Sequence, residues 1–213
     1  MTRFSLTVLG AAMSALVGAA SAAQAQPWGP GADDARFAAM LAAGFRDAGS
    51  VTVDRLRQDE TQAFCSDPDA ISTPAGAKRA EAIEAANLAT VRWPADGRFL
   101  GDWRSGERIA QSGRGLTWTD GPTQANGGNC YNCHQISAAE ISYGTLGPSL
   151  LNYGKLKGQD QEVLRYTWAK IFNAKASNAC SNMPRAGHSG ILKEKDIQDL
   201  MALLLHPDSP VNK

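Results

Sequence analysis

Apolar residues recur at helical spacing in six stretches of the chain, and that pattern predicts an all-α fold. Over 33–47, Phe37, Met40, Leu41 and Phe45 share one face, with Gly49 as a stop. A weaker pattern over 53–64 runs into Cys65-Ser66-Asp67-Pro68. Thr73-Pro74 then reads as an N-cap with proline in the first turn, opening an alanine-rich helix that ends before Pro94. The apolar faces of these three pieces are modest. They are expected to form an extension that packs on whatever follows, and they carry no catalytic cluster.

From residue 102 the faces strengthen. Trp103, Gly106, Ile109 and Ala110 align over 102–110; Leu164, Trp168, Ile171 and Phe172 align over 161–172; Ile197, Leu200, Met201, Leu204 and Leu205 align over 194–205. A glycine inside a helix costs about 1 kcal/mol relative to alanine. Gly106 therefore implies a helix crossing at close range, and the last helix is the candidate. Glycine-rich loops join these pieces. The predicted organisation is a leader over 1–25, a helical extension over 26–95 and a larger helical domain over 96–213.

The leader opens with Met1-Thr2-Arg3, continues as an apolar run from Phe4 to Ala20, and ends in Ser21-Ala22-Ala23-Gln24-Ala25. That is the pattern of a secretory signal peptide cleaved after Ala25, and Gly10 and Ser14 within the run weigh against an uncleaved anchor. The mature chain is expected in the periplasm, where disulfides persist. With 213 residues, 43% of them hydrophobic and 20% charged, it can bury a real core. Lys plus Arg and Asp plus Glu number 21 each, so no strong field points to nucleic acid or a membrane surface.

Cys130-Tyr131-Asn132-Cys133-His134 is where the candidate chemistry lies. Two thiols three positions apart on one turn can form thioethers to the two vinyl groups of one porphyrin, and the adjoining His134 then reaches the iron. A redox Cys-X-X-Cys would follow a strand and open a helix, whereas Asn126-Gly127-Gly128-Asn129 is a turn; a zinc site would need a second ligand pair nearby. One covalent haem c is expected. Five Trp and 21 Gly suit a helical shell around a large flat cofactor. Trp118, Tyr143 and Trp168 are candidates for its walls, with ordinary core packing the equal alternative.

Four side chains downstream could take the sixth iron position: Met183, His188, Met201 and His206. Met201 lies on the apolar stripe of the last helix and fits core packing better, and His206 suits a charge at that helix's end. Met183, in the non-helical run Cys180-Ser181-Asn182-Met183-Pro184-Arg185, is the expected ligand and His188 its rival. Within Gly144-Thr145-Leu146-Gly147-Pro148-Ser149-Leu150, the Pro148 carbonyl is expected to accept the Nδ1 proton of His134, an ordinary turn being the alternative. Cys65 and Cys180 remain. In an exported chain they read as a disulfide, or else Cys180 is a free reactive thiol beside the haem.

The run Arg114-Gly115-Leu116-Thr117-Trp118-Thr119-Asp120-Gly121-Pro122, the stretch from Asn126 to Gln135, Gly147-Pro148-Ser149-Leu150, Cys180 to Gly190 and the ending Ser209-Pro210-Val211-Asn212 together resemble the SoxX subunits of the SoxAX cytochromes of bacterial sulfur oxidation. The resemblance spans 101–212 and adds little before it apart from Cys65. It implies a class I cytochrome c-like fold, with Cys130 and Cys133 binding haem and His134 and Met183 as axial ligands. It implies a heterodimer with a SoxA-type cytochrome, the pair acting as an L-cysteine S-thiosulfotransferase that couples thiosulfate to a cysteine of the SoxYZ carrier. No catalytic residue is then expected on this chain, whose part is to pass the electrons released to another cytochrome c.

Overall fold

The structure, a computed structural model, describes residues 35–121 and 123–213. The expected leader and its expected cleavage site, the start of the expected extension and Pro122 lie outside the described residues. The elements run α1 (Ala35–Gly44), a 3-10 turn (Val53–Leu56), α2 (Glu60–Cys65), α3 (Pro68–Ile71), α4 (Pro74–Ala89), α5 (Trp103–Gln111), a 3-10 turn (Cys130–Asn132), α6 (Tyr153–Lys157), α7 (Gln161–Phe172), a 3-10 turn (Ala174–Ala176), α8 (Glu194–Leu205) and a last 3-10 turn (Pro210–Asn212). Among the described residues the β structure amounts to one isolated bridge, Ala48 to Val51, and no helix is long and apolar enough to cross a membrane. The protein is all-α.

The stretch over 53–64 is two short elements where a single helix was predicted, and Asp59 is the reason. Its carboxylate accepts from the Gln62 amide at 2.7 Å while the Gln62 side chain accepts from the Asp59 amide at 2.8 Å. This capping box holds Asp59 in extended backbone, so the chain must restart its helix there. Thr73 caps α4 by accepting from the Gly76 amide at 2.9 Å. At the other end of α4, Asn87 Oδ1 and Thr90 Oγ1 accept from Asn173 Nδ2 at 2.9 and 3.0 Å.

Helix α8 is the centre of the packing. Every residue from Ile197 to Leu205 is buried, with Ile197, Met201 and Ala202 at 0% exposure. Fully burying one Leu, Ile or Met contributes about 1.5–3 kcal/mol, so this one element supplies much of the driving force. Helix α5 crosses it where Gly106 lies: a Cβ there would overlap the Asp199 carbonyl. The crossing is pinned by Gly101 N donating to the Gln198 carbonyl at 2.8 Å and Asp102 N donating to the buried Asp199 carboxylate at 2.7 Å. Lys195 pairs with the same carboxylate. At the other end, Asn212 Nδ2 donates to the Leu204 and His206 carbonyls, both at 3.0 Å, closing the C-terminus of α8 with the chain's own tail. Residues 35–213 form one compact unit.

Candidate functional site

The Cys130–Asn132 turn is laid down against the end of α5. Gly128 N donates to the Ile109 carbonyl at 2.8 Å and Asn129 N to the Ser112 carbonyl at 3.0 Å, using acceptors that a helix C-terminus leaves free. Gly127 passes so close to Ser112 that any side chain would collide. Asn129 takes a left-handed conformation, φ 51°, and the chain tightens into the turn, with Cys133 N and His134 N both donating to the Cys130 carbonyl. Tyr131 anchors the turn in the core, 6% exposed, its hydroxyl donating to Glu107 Oε1 at 2.9 Å. Burial, reinforced by that bond to Glu107, pushes the Tyr131 phenol well above its usual range. Cys130 and Cys133 are unpaired thiols at partly buried positions. Burial, aided by the neighbouring Cys133 and Glu107, pushes the Cys130 thiol up to about 12, so it is neutral at physiological pH.

The loop over 141–150 lies along this turn. Gly144 N donates to the Tyr131 carbonyl at 2.8 Å, Gly147 N to the Cys133 carbonyl at 2.8 Å and Leu150 N to the Gln135 carbonyl at 2.7 Å. His134 Nδ1 stands 2.7 Å from the Pro148 carbonyl oxygen. A carbonyl can only accept, so Nδ1 carries the proton and Nε2 keeps its lone pair for a metal. A Cβ at Gly147 would overlap the imidazole ring. Glycine and proline in this loop therefore set the plane and the tautomer of His134 together.

Met183 lies in the loop between α7 and α8, partly buried against the core, its amide donating to Ser181 Oγ at 3.2 Å. The extension grips this loop at several points. Cys65 of α2 and Cys180 form a disulfide across a sequence separation of 115 residues. Cys180 is therefore not a free thiol. Arg185 Nη2 donates to Asp59 Oδ2 at 2.9 Å, Ala179 N to Glu84 Oε1 at 3.0 Å, and Asn173 Nδ2 to Asn87 Oδ1 at 2.9 Å. Sequence reasoning missed Asp59, Glu84 and Asn87 as partners of the loop. The pattern Asp59-Glu60-Thr61-Gln62 was a readable cap, but its second use as an ion-pair partner leaves no local mark.

The other candidates sit elsewhere. Met201 is fully buried inside α8, and His206 ends that helix, its Nδ1 accepting from the Asp208 amide at 3.1 Å. His188 is exposed, and its amide donates to the Phe172 carbonyl at 2.9 Å. Trp168 is a core residue, 1% exposed, donating to the Arg92 carbonyl at 2.8 Å and meeting Phe99 edge-on. Trp118 and Tyr143 are exposed.

A haem fits these residues. Two unpaired thiols stand on one turn, and the adjoining imidazole has its Nε2 free. Ile141 and Leu146, on the loop bonded to that turn, are 92% and 90% exposed, apolar surface of the kind that a large flat cofactor would cover. A zinc site would need a cluster of ligands, and no group of three or more His, Cys, Asp and Glu is placed to hold a metal among the described residues.

Residues 118–207, which include Cys130, Cys133, His134, Pro148, Cys180 and Met183, match the protein family described as Cytochrome c. A protein of Aquifex aeolicus (strain VF5), described as "Uncharacterized lipoprotein", is 38% identical over 159 residues, covering 73% of this chain and 73% of its own.

Proposed function

On the premise that this chain carries a cytochrome c domain over 118–207, we propose that it is a one-haem electron-transfer subunit of the SoxX kind, working with a SoxA-type cytochrome in an L-cysteine S-thiosulfotransferase. The observation that carries the electron-transfer reading is the His134–Pro148 contact at 2.7 Å directly beside two unpaired cysteines. The SoxX reading rests on the residue runs that resemble those subunits, above all Cys180-Ser181-Asn182-Met183-Pro184-Arg185.

In this reading Cys130 and Cys133 would hold the haem covalently, and His134 and Met183 would bind its iron. When bound, the group supplies a one-electron iron couple, and a methionine ligand raises its potential relative to two imidazoles. The chain's own residues do the rest. Pro148 orients His134 and, by accepting the Nδ1 proton, makes its Nε2 a stronger donor. The disulfide and the Asp59–Arg185 pair restrain the segment that presents Met183. With Met183 on the iron, water and small ligands would be kept from it.

This chain has no cysteine to spare for group transfer: two of its four form the disulfide and two stand in the haem motif. The catalytic cysteine then belongs to the partner, and the electrons pass through this chain to another cytochrome c. The leader over 1–25, the disulfide and the description of the Aquifex relative as a lipoprotein support an exported, periplasmic protein.

A second reading, a free-standing monohaem carrier, is favoured by one observation. The extension, which could have been a docking module, is used to hold the Met183 loop. Co-expression with a SoxA-type partner and copurification decide between them. A stoichiometric complex is expected; a chain that elutes alone and does not bind the partner overturns the subunit reading. Intact mass of the matured protein should carry one porphyrin.

A further inference from the structure

We propose that the cleft between α2 and the loop over 175–185 is a binding site for a small oxyanion of the sulfate or phosphate type, held by Lys175 and Arg185. The inference stands on the side chains of Lys175 and Arg185, in a cleft whose wall includes Met183, the residue that the proposed function places at the iron.

The cleft measures about 480 Å3 and is walled by Gln58, Gln62, Lys175, Ser181, Asn182 and Arg185, with the Cys65–Cys180 bridge and Met183 completing it. Two cations and no carboxylate line it. Lys175 is the unusual member. Its side chain is 8% exposed, its nearest acidic atom, Asp59 Oδ1, is 3.9 Å away, and among the described residues its ammonium donates no hydrogen bond. An ammonium has three donors, and here they are not sealed from solvent, so an acceptor that enters the cleft can reach them. Burial pushes the pKa of Lys175 down, Asp59 opposes this in part, and Arg185 adds to it. An oxyanion in the cleft supplies the acceptors that Asp59 is too far away to provide.

Arg185 offers the second cation. One of its nitrogens is taken by Asp59 at 2.9 Å, and the guanidinium carries five N–H groups in all. The Asn182 amide is exposed at the rim and can donate as well. An adjoining cleft of about 390 Å3 shares Gln62 and Arg185 and adds Arg55, Arg57 and the Asp59 carboxylate, with Arg57 also paired to Asp54, so three guanidiniums meet one carboxylate along its wall. The size of the main cleft leaves room for an oxyanion with part of its hydration shell. A ligand there touches the segment from Cys180 to Arg185 on one side and α2 on the other.

The test is calorimetric titration of the purified mature protein with sodium sulfate and with sodium phosphate, in sodium chloride of matched ionic strength. Saturable one-site binding is expected. Lys175→Met and Asn182→Asp are each expected to weaken it at least tenfold, the second by placing a carboxylate at the rim. Lys175→Arg should retain binding, and Lys155→Met on α6 should leave it unchanged. Absence of a saturable isotherm, equal displacement by chloride, or unaltered affinity in Asn182→Asp overturns the proposal. Because Asn182 is exposed, that variant decides the matter even if Lys175→Met does not fold.

Discussion

Gly147 lies so close to the His134 ring that the two cannot both keep their places if a side chain is added. Gly147→Ala is expected to cost about 1–3 kcal/mol of stability, the usual range for overpacking, and to swing the imidazole off the Pro148 carbonyl. Thermal denaturation checks the first effect, and the absorption spectrum of the matured protein checks the second. Gly44→Ala, where nothing lies within 4 Å, is the matched control and should be near neutral. Met183 is the second residue with a sharp expectation. In Met183→Ala the fold should persist, since the side chain is only partly buried, while the reduced protein gains carbon monoxide binding and a lower potential. A variant that kept both the wild-type potential and a closed iron would assign the sixth position to another side chain.

At the scale of elements, the extension acts as a clamp. The Cys65–Cys180 bridge closes a separation of 115 residues, for which chain entropy gives a stabilisation of about 4–5 kcal/mol, and native disulfides in small exported domains are typically worth about 2–5 kcal/mol. Replacing both cysteines with serine should lower the denaturation midpoint accordingly without removing α8, whose burial is independent of the bridge. Asp59 adds a pH dependence. Burial pushes its carboxyl up, but the Gln62 amide, Lys175 and Arg185 outweigh that and hold it below its ordinary value of 3.8. Its contribution is therefore present above the unfolded value and lost as pH falls through the lower folded one. The stability difference between wild type and Asp59→Asn should be constant near neutrality and shrink below pH 3.8. A difference that grew on acidification would contradict the sign. This clamp also marks the limit of what the sequence discloses. Helix α8 and its crossing at Gly106 were legible because an apolar stripe and a misplaced glycine are local signals. The short helices α3 and α6 were not, because four or five residues are too few to show a helical period. Of the site, the haem motif and the odd pair of cysteines could be read directly. The links from Asp59 to Arg185, from Glu84 to Ala179 and from Asn87 to Asn173 could not, since each joins residues far apart in the chain and serves no periodic pattern.

At the scale of the whole molecule, charge bears on how a partner is held. Basic and acidic residues balance at 21 each, so the chain has no net field with which to steer a partner over distance. An obligate heterodimer of the SoxAX kind must then rest on shape and apolar contact, which salt does not screen, and the complex should survive about 1 M salt, where the screening length falls to roughly 3 Å. A free-standing carrier meets its partners instead through small, largely polar contacts, and those loosen as ionic strength rises. Sedimentation of the mature chain with a SoxA-type cytochrome, at low and at high salt, separates the two. A one-to-one complex unchanged by salt is the outcome expected of a subunit; a complex seen only at low salt would place this protein among diffusing carriers, with Cys130, Cys133, His134 and Met183 keeping the roles proposed for them.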